Sequence, residues 1–447
     1  SVLNTAEGAI TEIQSMLTRL KELSVQAAND VNSDDEREAI QKEIEQINNE
    51  IDRISDQTEF NTQSLINGNL SRRVYSDYQG VNQLKISDSF TAGIYGVTVT
   101  QDARQAIVVG NGAVTMSDTA TVTKEQAGTI SMNGYGIEIS EGDTLAGIMG
   151  KLVDGADKIG GRVFAITAGA TNDTKVNGTD YAGYEPQTSY AGNNIVFMTK
   201  ESGSSKTMNI TCSNAELANM LGIATAATNG GMYAEGSDVQ AEFTLDNDGK
   251  RVGFADSAVI STSGTRVTVK DVNNRTFVTD VPSNVAGTQF SDTVKADDKS
   301  TATSTQTAKV TQEVTDVGTM SVHVGANENQ VILIDIPAVT SYTLGTENLN
   351  VMTSVTASEA IDTIDTAVAY ANRVRSQMGA YENRFEHTTN NLGTASENLT
   401  SAISTMTDTD MAEEMTEYTS LNVMTQAATS ILAQANERPS TVLQILQ

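Results

Sequence analysis

The sequence predicts an α+β protein. Helices from the two chain ends form a long antiparallel coiled bundle, and a β-rich middle region of two subdomains lies between them. Three observations support this prediction. Heptad-spaced apolar residues occupy both ends, short alternating runs replace them between about Leu70 and Val339, and 447 residues are too many for one compact core. Long helices at opposite ends can give each other the packing partner that a coiled-coil seam needs.

The composition excludes several classes of partner. The chain carries 57 acidic and 28 basic residues, a net charge of -29. Such a surface repels phosphate backbones and anionic membranes, so we expect neither nucleic acid nor a membrane as a partner. A single cysteine, Cys212, rules out an intrachain disulfide framework, and its strand-like setting favours a buried, inert thiol.

The N-terminal segment is predicted to form two helices separated by a break at residues 29–32. The chain begins inside the first helix. Ser33 and Glu36 then form a capping box, in which each side chain bonds a free backbone N–H at the start of the second helix. The first seam is Leu3, Ala6, Ile10, Ile13, Leu17, Leu20, Ala27 and Val31, and the second is Ile40, Ile44, Ile47, Ile51 and Ile54.

Short alternating runs predict β-strands in the middle region, with turns at Asn-Gly or Asp-Gly pairs. Two short helices are expected at residues 144–158 and 214–220, and the Ser/Thr/Ala-rich stretch 295–309 is expected to be a loop or domain connection. The predicted strands are 83–87, 96–100, 106–109, 129–140, 194–199, 207–211, 241–245, 265–269, 276–281 and 329–336, and the turn pairs are 111–112, 133–134, 177–178 and 248–249.

The longest predicted helix covers residues 356–406, with a capping box formed by Thr356 and Glu359. At ~1.5 Å per residue it would extend roughly 75 Å, so it needs long helices beside it to bury its seam. Its seam is Ala357, Ile361, Ile364, Val368, Ala371, Val374, Met378, Tyr381, Phe385, Leu392, Ala395, Leu399 and Ala402.

A further amphipathic helix follows a break at residues 407–410. Its seam runs from Met411 to Ala435, it is expected to stop before Pro439, and an apolar tail at residues 442–446 ends the chain. An isolated amphipathic helix is marginal in water, so we expect residues 411–435 to fold only on assembly. A stable bundle helix is the alternative.

No pattern in the sequence predicts catalysis, a cofactor or a metal, and we expect the protein not to be an enzyme. His323 and His387 lie in different segments, and no zinc-type His or Cys cluster is present. The run 246–249 resembles the start of a calcium loop but lacks the later ligands, so a hairpin turn is favoured. There is no Gly-x-Ser-x-Gly elbow and no phosphate loop.

Both chain ends closely resemble bacterial flagellins. In the middle region, residues 324–327 resemble the flagellin β-hairpin motif, and residues 130–134 with 142–145 resemble a module shared by flagellins and hook-associated proteins. The N-terminal motifs are Thr5-Ala-Glu-Gly8, 17–29, 50–54 and 58–61, and the C-terminal motifs are 378–387, 390–392, 396–399, 408–412, 431–436 and 442–446.

The resemblance implies a structural subunit of the bacterial flagellar filament that serves motility and self-assembles through its terminal helices. It implies an extracellular location, reached through the flagellar export apparatus without a cleaved signal peptide. Other flagellin subunits, an export chaperone and the filament cap are the implied partners. The implied domains are 1–69 (N-terminal helices), 70–320 (β-rich outer region with a hook-associated-type module near 128–223), 321–355 (hairpin), 356–406 (long helix) and 407–447 (terminal helix and tail).

Flagellins normally carry a further helical segment ahead of the Thr5-Ala-Glu-Gly8 run, where it pairs with the C-terminal tail. The sequence as given begins at Ser1 and does not contain that segment. We therefore expect this chain to remain a monomer and not to polymerise.

The resemblance also implies a binding surface for the animal Toll-like receptor for flagellin. An arginine and a leucine of the first helix and a glutamate of the second correspond to Arg19, Leu23 and Glu43. Thr18 stands where glutamine is usual, and Lys21 where arginine is usual, which removes the bidentate fork that arginine offers. The expected receptor-binding residues are Arg19, Leu23, Glu43, Thr18, Lys21, Glu22 and Gln26.

A function of another class is also considered, a surface adhesion or glycan-binding module carried on a flagellin-like scaffold. Such a module needs exposed aromatic residues on which sugars can stack. Only Tyr181, Tyr184 and Tyr190 come close to forming such a cluster, and an ordinary loop cluster accounts for them equally.

Overall fold

A computed structural model describes residues 1–87, 90–169, 184–223, 231–272, 275–287, 289–291, 298–299, 301–304, 306–325 and 327–446. The predicted turn at 177–178, Tyr181, and residues 295–297, 300 and 305 of the stretch 295–309 lie outside these residues. The chain divides into two compact units, Ser1–His323 with Asn329–Tyr381, and Val324–Glu328 with Glu382–Gln447.

Helices occupy both ends of the chain and strands fill the middle, as the predicted fold class requires. Short helices within or beside the middle region begin where Thr144 and Asn214 accept hydrogen bonds from the first turn. Both were predicted within one residue. The helices are α1 (Val2–Ala27), α2 (Asp34–Gln57), α3 (Leu145–Lys158), α4 (Ala215–Met220), α5 (Ser341–Leu344), α6 (Ser354–Thr407) and α7 (Met411–Ile445).

Helices α1 and α2 form a hairpin that is fixed at its turn by polar contacts. The predicted capping box is confirmed, because the N–H of Glu36 donates to Ser33 Oγ (3.3 Å) and the N–H of Ser33 donates to Glu36 Oε2 (2.8 Å). The guanidinium of Arg37 donates to the carbonyls of Ala27 and Asn29, both at 3.1 Å. A cation at the C-terminus of α1 also suits the helix dipole.

The buried face of α2 differs from the predicted isoleucine seam. Ile47 and Ile54 are only partly buried, whereas Asn48 and Ser55 are buried in their place. Asn48 donates to the carbonyl of Thr346 (2.7 Å), and Ser55 to that of Ile66 (3.0 Å), so this face binds connecting backbone as well as apolar side chains.

The predicted seam of α1 is too long by one residue. Val31 is 90% exposed, because α1 ends at Ala27 and Val31 lies in the turn that follows. The buried residues of α1 are Ala6, Ile10, Ile13, Leu17, Leu20, Leu23, Ser24 and Ala27.

Helix α6 runs antiparallel to α1. Arg375 pairs with Glu7 (3.0 Å), and Lys21 pairs with Asp365 (2.5 Å), so the order of residues along one helix is reversed along the other. Between α1 and α6, Gln14 also donates to Asn372 (2.8 Å). In the first unit α6 buries Ala357, Ala360, Ile364, Ala367, Tyr370, Ala371, Val374, Met378 and Tyr381.

The predicted capping box of the long helix is wrong. The reciprocal pair is Thr353 with Thr356, in which each backbone N–H donates to the other residue's hydroxyl (3.1 and 3.2 Å), so the helix starts at Ser354. Glu359 instead pairs with Lys206 of the middle region at 3.4 Å. The carboxylate of Glu359, which the local sequence predicted to cap the helix, therefore forms a tertiary ion pair instead.

Strands of the middle region confirm every predicted run. The sequence missed several others, among them Gly161–Ile166, Met232–Glu235, Val259–Ser263 and Ala308–Val314. The strands are β1 (Glu59–Phe60), β2 (Gln63–Ser64), β3 (Val74–Ser76), β4 (Asn82–Ile86), β5 (Gly93–Gln101), β6 (Gln105–Val109), β7 (Gly128–Met132), β8 (Tyr135–Ile139), β9 (Gly161–Ile166), β10 (Asn194–Ser202), β11 (Thr207–Cys212), β12 (Met232–Glu235), β13 (Gln240–Phe243), β14 (Val259–Ser263), β15 (Arg266–Lys270), β16 (Thr276–Asp280), β17 (Gln289–Ser291), β18 (Asp298–Lys299), β19 (Thr301–Ser304), β20 (Ala308–Val314), β21 (Met320–His323) and β22 (Val331–Ile334). Where the structure describes residues 295–309, it shows mainly strand rather than the predicted loop.

Two main cores organise most of these strands, and a smaller one lies on the other face of the sheet β6-β10-β9. The sheets β6-β10-β9 and β18-β12-β11-β7-β8 enclose a core with α3 and α4. The sheets β13-β5-β20-β3 and β14-β15-β16-β4 enclose a second core that contains Phe90, Tyr95, Phe254 and Phe277. The middle region therefore has the two subdomains that the sequence predicts.

Two predicted turns are explained by their backbone. Asn133 (φ 50°) and Gly134 (φ 90°) both have positive φ between β7 and β8, as a type I′ hairpin requires. At the other turn, the carboxylate of Asp246 accepts the backbone N–H groups of Asp248 and Lys250, both at 2.9 Å. This carboxylate closes a hairpin turn, as the sequence favoured over a calcium loop.

In the second unit, helix α7 continues past the point where the sequence predicted its end. The expected stop before Pro439 is wrong, because α7 runs to Ile445 with this proline inside it. Proline removes one backbone N–H but has a φ that suits a helix. The hydroxyls of Ser440 and Thr441 donate to the carbonyls of Glu437 and Arg438, which adds bonds across the proline.

Candidate interaction surfaces on the terminal helices

An apolar seam without packing partners runs along α7. The helix buries none of its residues, although its seam has the heptad spacing of a coiled coil. Its N-cap, Asp410, accepts from the N–H groups of Ala412 (2.9 Å) and Glu413 (3.2 Å), as the predicted break before the helix requires. The exposed fractions along the seam are Met411 65%, Met415 52%, Tyr418 60%, Leu421 53%, Met424 62% and Ile431 66%. We call these six residues the α7 seam.

The second half of α6 also exposes its apolar side chains to solvent. Burial along this helix ends at Tyr381. Beyond it, Leu392 (42%), Leu399 (64%) and Ile403 (55%) are exposed. The heptad spacing continues without change, so the sequence pattern alone cannot distinguish the packed half from the unpacked one.

A charged cluster crosses from α1 to α2. The guanidinium of Arg19 donates to Glu43 Oε1 through Nε (3.1 Å) and Nη2 (2.8 Å), and to Glu22 Oε2 through Nη1 (3.3 Å). The hydrogen bond to Glu43 is the main reason that the pKa of Arg19 is raised above its usual value. The side chains of Arg19 and Glu43 remain 50% and 46% exposed.

The other residues predicted for receptor binding do not all lie beside Arg19. Lys21 is at the opposite edge of α1, where it pairs with Asp365 of α6. Leu23 is only 2% exposed and packs inside the bundle. Thr18, Glu22 and Gln26 are exposed on α1. The structure thus groups Arg19, Glu22, Gln26 and Glu43 but separates Lys21 and Leu23 from them.

The aromatic residues considered for glycan binding do not form an exposed platform where the structure describes them. Tyr184 is 2% exposed and belongs to the core beneath the sheet β6-β10-β9. Tyr190 is partly buried against the neighbouring core. The glycan-binding alternative therefore loses two of its three residues.

The lone thiol and the metal-binding residue types have ordinary surroundings. Cys212 is partly buried, its thiol donates to the carbonyl of Asn214 (3.2 Å), and burial raises its pKa. Within the described ranges, no three His, Cys, Asp or Glu side chains come together as a metal site would require. Nor does any helix in these ranges combine the length and apolar character needed to cross a membrane.

Sequence reasoning missed the contacts that join distant parts of the chain. These include the Arg37 contacts at the end of α1, the pair of Lys206 with Glu359, and a group of cations around Lys85 on β4. None belongs to a local motif. Partners of this kind are separated by up to hundreds of residues, and no single-sequence signal pairs them.

Comparisons with known proteins agree with this arrangement of helices. The family described as the bacterial flagellin N-terminal helical region matches residues 1–71, and the bacterial flagellin C-terminal helical region matches residues 361–446. The flagellin-type protein YvzB of Bacillus subtilis (strain 168) is 44% identical over 126 residues, which cover 28% of this chain and 79% of that protein.

Two longer relatives extend the similarity over the middle region. A flagellin of Clostridium tyrobutyricum is 28% identical over 443 residues, covering 98% of this chain and 81% of the relative. A flagellin of Salmonella typhimurium is 29% identical over 467 aligned positions, covering 100% of this chain and 86% of the relative. The chain belongs to the bacterial flagellin family, and it is a structural subunit of the flagellar filament rather than an enzyme.

Proposed function

We propose that this flagellin assembles by burying the α7 seam, together with the exposed half of α6, against helices of neighbouring subunits. One observation carries the proposal, namely that α7 has a complete apolar seam and buries no residue. Burying one large apolar side chain contributes about 1.5–3 kcal/mol. Six such residues on one helix supply a strong driving force for association.

The same exposed seam accounts for the proposed partners before assembly. Contiguous apolar surface on a free protein promotes aggregation. An export chaperone that covers α7 would prevent this until the subunit leaves the cell, and the filament cap would then hold the subunit while neighbouring helices replace the chaperone. The extracellular filament is the final location, and we propose that the flagellar export apparatus carries the subunit there.

An assembly experiment tests the α7 seam directly. We expect Leu421→Asp to abolish filaments in electron micrographs, because a carboxylate would be buried in the packed seam. Both wild type and variant carry an added N-terminal helical segment of a flagellin, so that the result does not depend on where this sequence begins.

Thr419→Asp is the matched control, since it adds the same charge to the opposite face of α7. We expect this variant to form filaments. Filaments of normal length from Leu421→Asp would show that the seam does not mediate assembly. The loss of filaments in both variants would point to charge rather than to the seam.

We also propose that Arg19 and Glu43 form the centre of a surface for the animal Toll-like receptor for flagellin. The supporting observation is an Arg-Glu pair that joins two helices and keeps about half of each side chain exposed. Arginine can contact a partner while retaining this pair, because its guanidinium has five N–H donors. Glu22 and Gln26 extend the surface along α1. In this proposal Leu23 supports the surface from beneath, and Lys21 is not part of it.

Receptor pull-down tests this second proposal. We expect Arg19→Ala to weaken receptor binding at least about tenfold, as truncation of an arginine hot spot does. Arg53→Ala removes an arginine from another exposed pair, with Glu50, and is expected to bind like wild type. Circular dichroism confirms that both variants fold. Equal binding of Arg19→Ala and wild type would remove Arg19 from the surface.

A further inference from the structure

A cleft of 370 Å³ lies between the edge strand β4 and helix α6, inside the first unit. Its lining includes Lys85 from β4, Thr276 at the start of β16, and Tyr370, Arg373 and Gln377 from α6. Among the described residues that line it, none is acidic. This is unusual in a chain with a net charge of -29.

Lys85 is held in the cleft without an anionic partner. Its ammonium lies 3.9 Å from the centroid of the Tyr370 ring, and no described carboxylate pairs with it. Burial, and after it the positive charges of Arg266 and Arg373, lower the pKa of Lys85 to about 7. A cation–π contact explains the position of the ammonium but compensates only part of this cost.

Arg373 brings a second cation to the cleft, and most of its N–H donors have no acceptor among the described residues. One guanidinium N–H, on Nη1, donates to Thr276 Oγ1 at 3.1 Å. Guanidinium has five such donors in a planar fork that matches an oxyanion. Arg266, on β15, adds positive potential nearby, while its guanidinium approaches the carbonyl of Tyr342 (3.4 Å).

We propose that this cleft binds a small oxyanion between the ammonium of Lys85 and the guanidinium of Arg373. An anion there offsets the repulsion among the three cations and replaces the solvation that Lys85 has lost. Phosphate and carboxylate ions have the required charge and acceptor oxygens. The site joins a strand of the outer region to the long helix, so an occupied cleft also strengthens that junction.

Other charged groups around the cleft do not supply the missing anion. Burial raises the pKa of Tyr370, and the negative charge of Asp335 raises it further. The carboxylate of Asp335 is itself held by a backbone group, because its Oδ1 accepts the N–H of Arg72 at 3.1 Å. The Tyr370 hydroxyl donates to the carbonyl of Ala338 at 3.0 Å. Among the described residues, no carboxylate forms an ion pair with Lys85 or Arg373, so both cations can still bind an anion.

Titration of the full chain with inorganic phosphate, and separately with acetate, tests the proposal. Backbone amide NMR shifts of Lys85, Thr276 and Arg373 are followed at constant ionic strength set with chloride. We expect saturable shifts with at least one probe, and affinity about tenfold lower in Lys85→Met and in Arg373→Gln, since each loses a charged hydrogen bond. The probe that binds identifies the oxyanion class.

Lys124→Met is the control, because Lys124 is exposed in the other subdomain and the substitution removes the same charge. Arg373→Lys keeps the positive charge and takes the place of Arg373→Gln if that variant does not fold. We expect Lys124→Met to bind like wild type and Arg373→Lys to bind better than Arg373→Gln. Linear, unsaturated shifts with both probes in wild type, or equal affinities in wild type and Lys85→Met, would overturn the proposal.

Discussion

Replacing Leu20 with alanine is expected to lower the free energy of unfolding by about 2–5 kcal/mol, because it leaves a cavity in a packed helical core. Leu20 is fully buried, with 0% exposure, on the face of α1 that packs in the bundle. Urea unfolding followed by circular dichroism measures the change. We expect this effect to be among the largest for a single substitution.

Leu421→Ala is the matched comparison for this prediction. Both leucines belong to heptad-spaced apolar seams, but Leu421 is 53% exposed on α7. We expect its truncation to change stability by no more than about 0.5 kcal/mol. If Leu421→Ala were as destabilising as Leu20→Ala, the α7 seam would already be packed in the free chain, and the proposed route of assembly would be wrong.

The stability of the chain is expected to rise between pH 7 and 9.5 through Lys85. In the folded state its pKa is about 7, against an ordinary value of 10.5. Over this range the amine of Lys85 is mostly protonated in the unfolded chain and mostly neutral in the folded chain. Its protonation therefore favours unfolding, and this destabilising effect becomes smaller as the pH rises. The contribution is roughly 3 kcal/mol between these two pH values.

Comparison with Lys85→Met isolates this contribution, because the other ionisable groups are common to both proteins. Urea unfolding in chloride buffers, without phosphate or carboxylates, is measured at several pH values. The stability of wild type relative to the variant is expected to increase with pH. A difference that stays constant from pH 7 to 9.5 would mean that Lys85 titrates normally in the folded protein.

The local patterns of the sequence predicted most elements well, since they depend on neighbouring residues. Ser33 with Glu36 sets the start of α2, and Asn133 with Gly134 sets the turn between β7 and β8. The local prediction was wrong at Thr356 and Glu359. Thr356 forms the capping pair with Thr353, and Glu359 pairs with the distant Lys206. It was also wrong at Pro439, which the helix accommodates.

The candidate surfaces were predicted less completely than the fold. The family resemblance pointed to Arg19 and Glu43, and the structure joins them across two helices. It could not indicate that Leu23 is buried or that Lys21 pairs with α6, because these facts depend on where the long helix lies. The cleft around Lys85 had no sequence signal, since β4 and α6 are distant in the chain.

By itself, the sequence determined that this protein has helical ends, a β-rich middle region and the features of a flagellin. Heptad spacing, helix caps and turn residues depend on positions close together in the chain, so they can be recognised from one sequence. Only the tertiary structure decided that the first part of the α6 seam is buried and that the α7 seam is exposed. The spacing in α6 and α7 is the same where a partner is present as where none is, and burial depends on that partner rather than on the spacing.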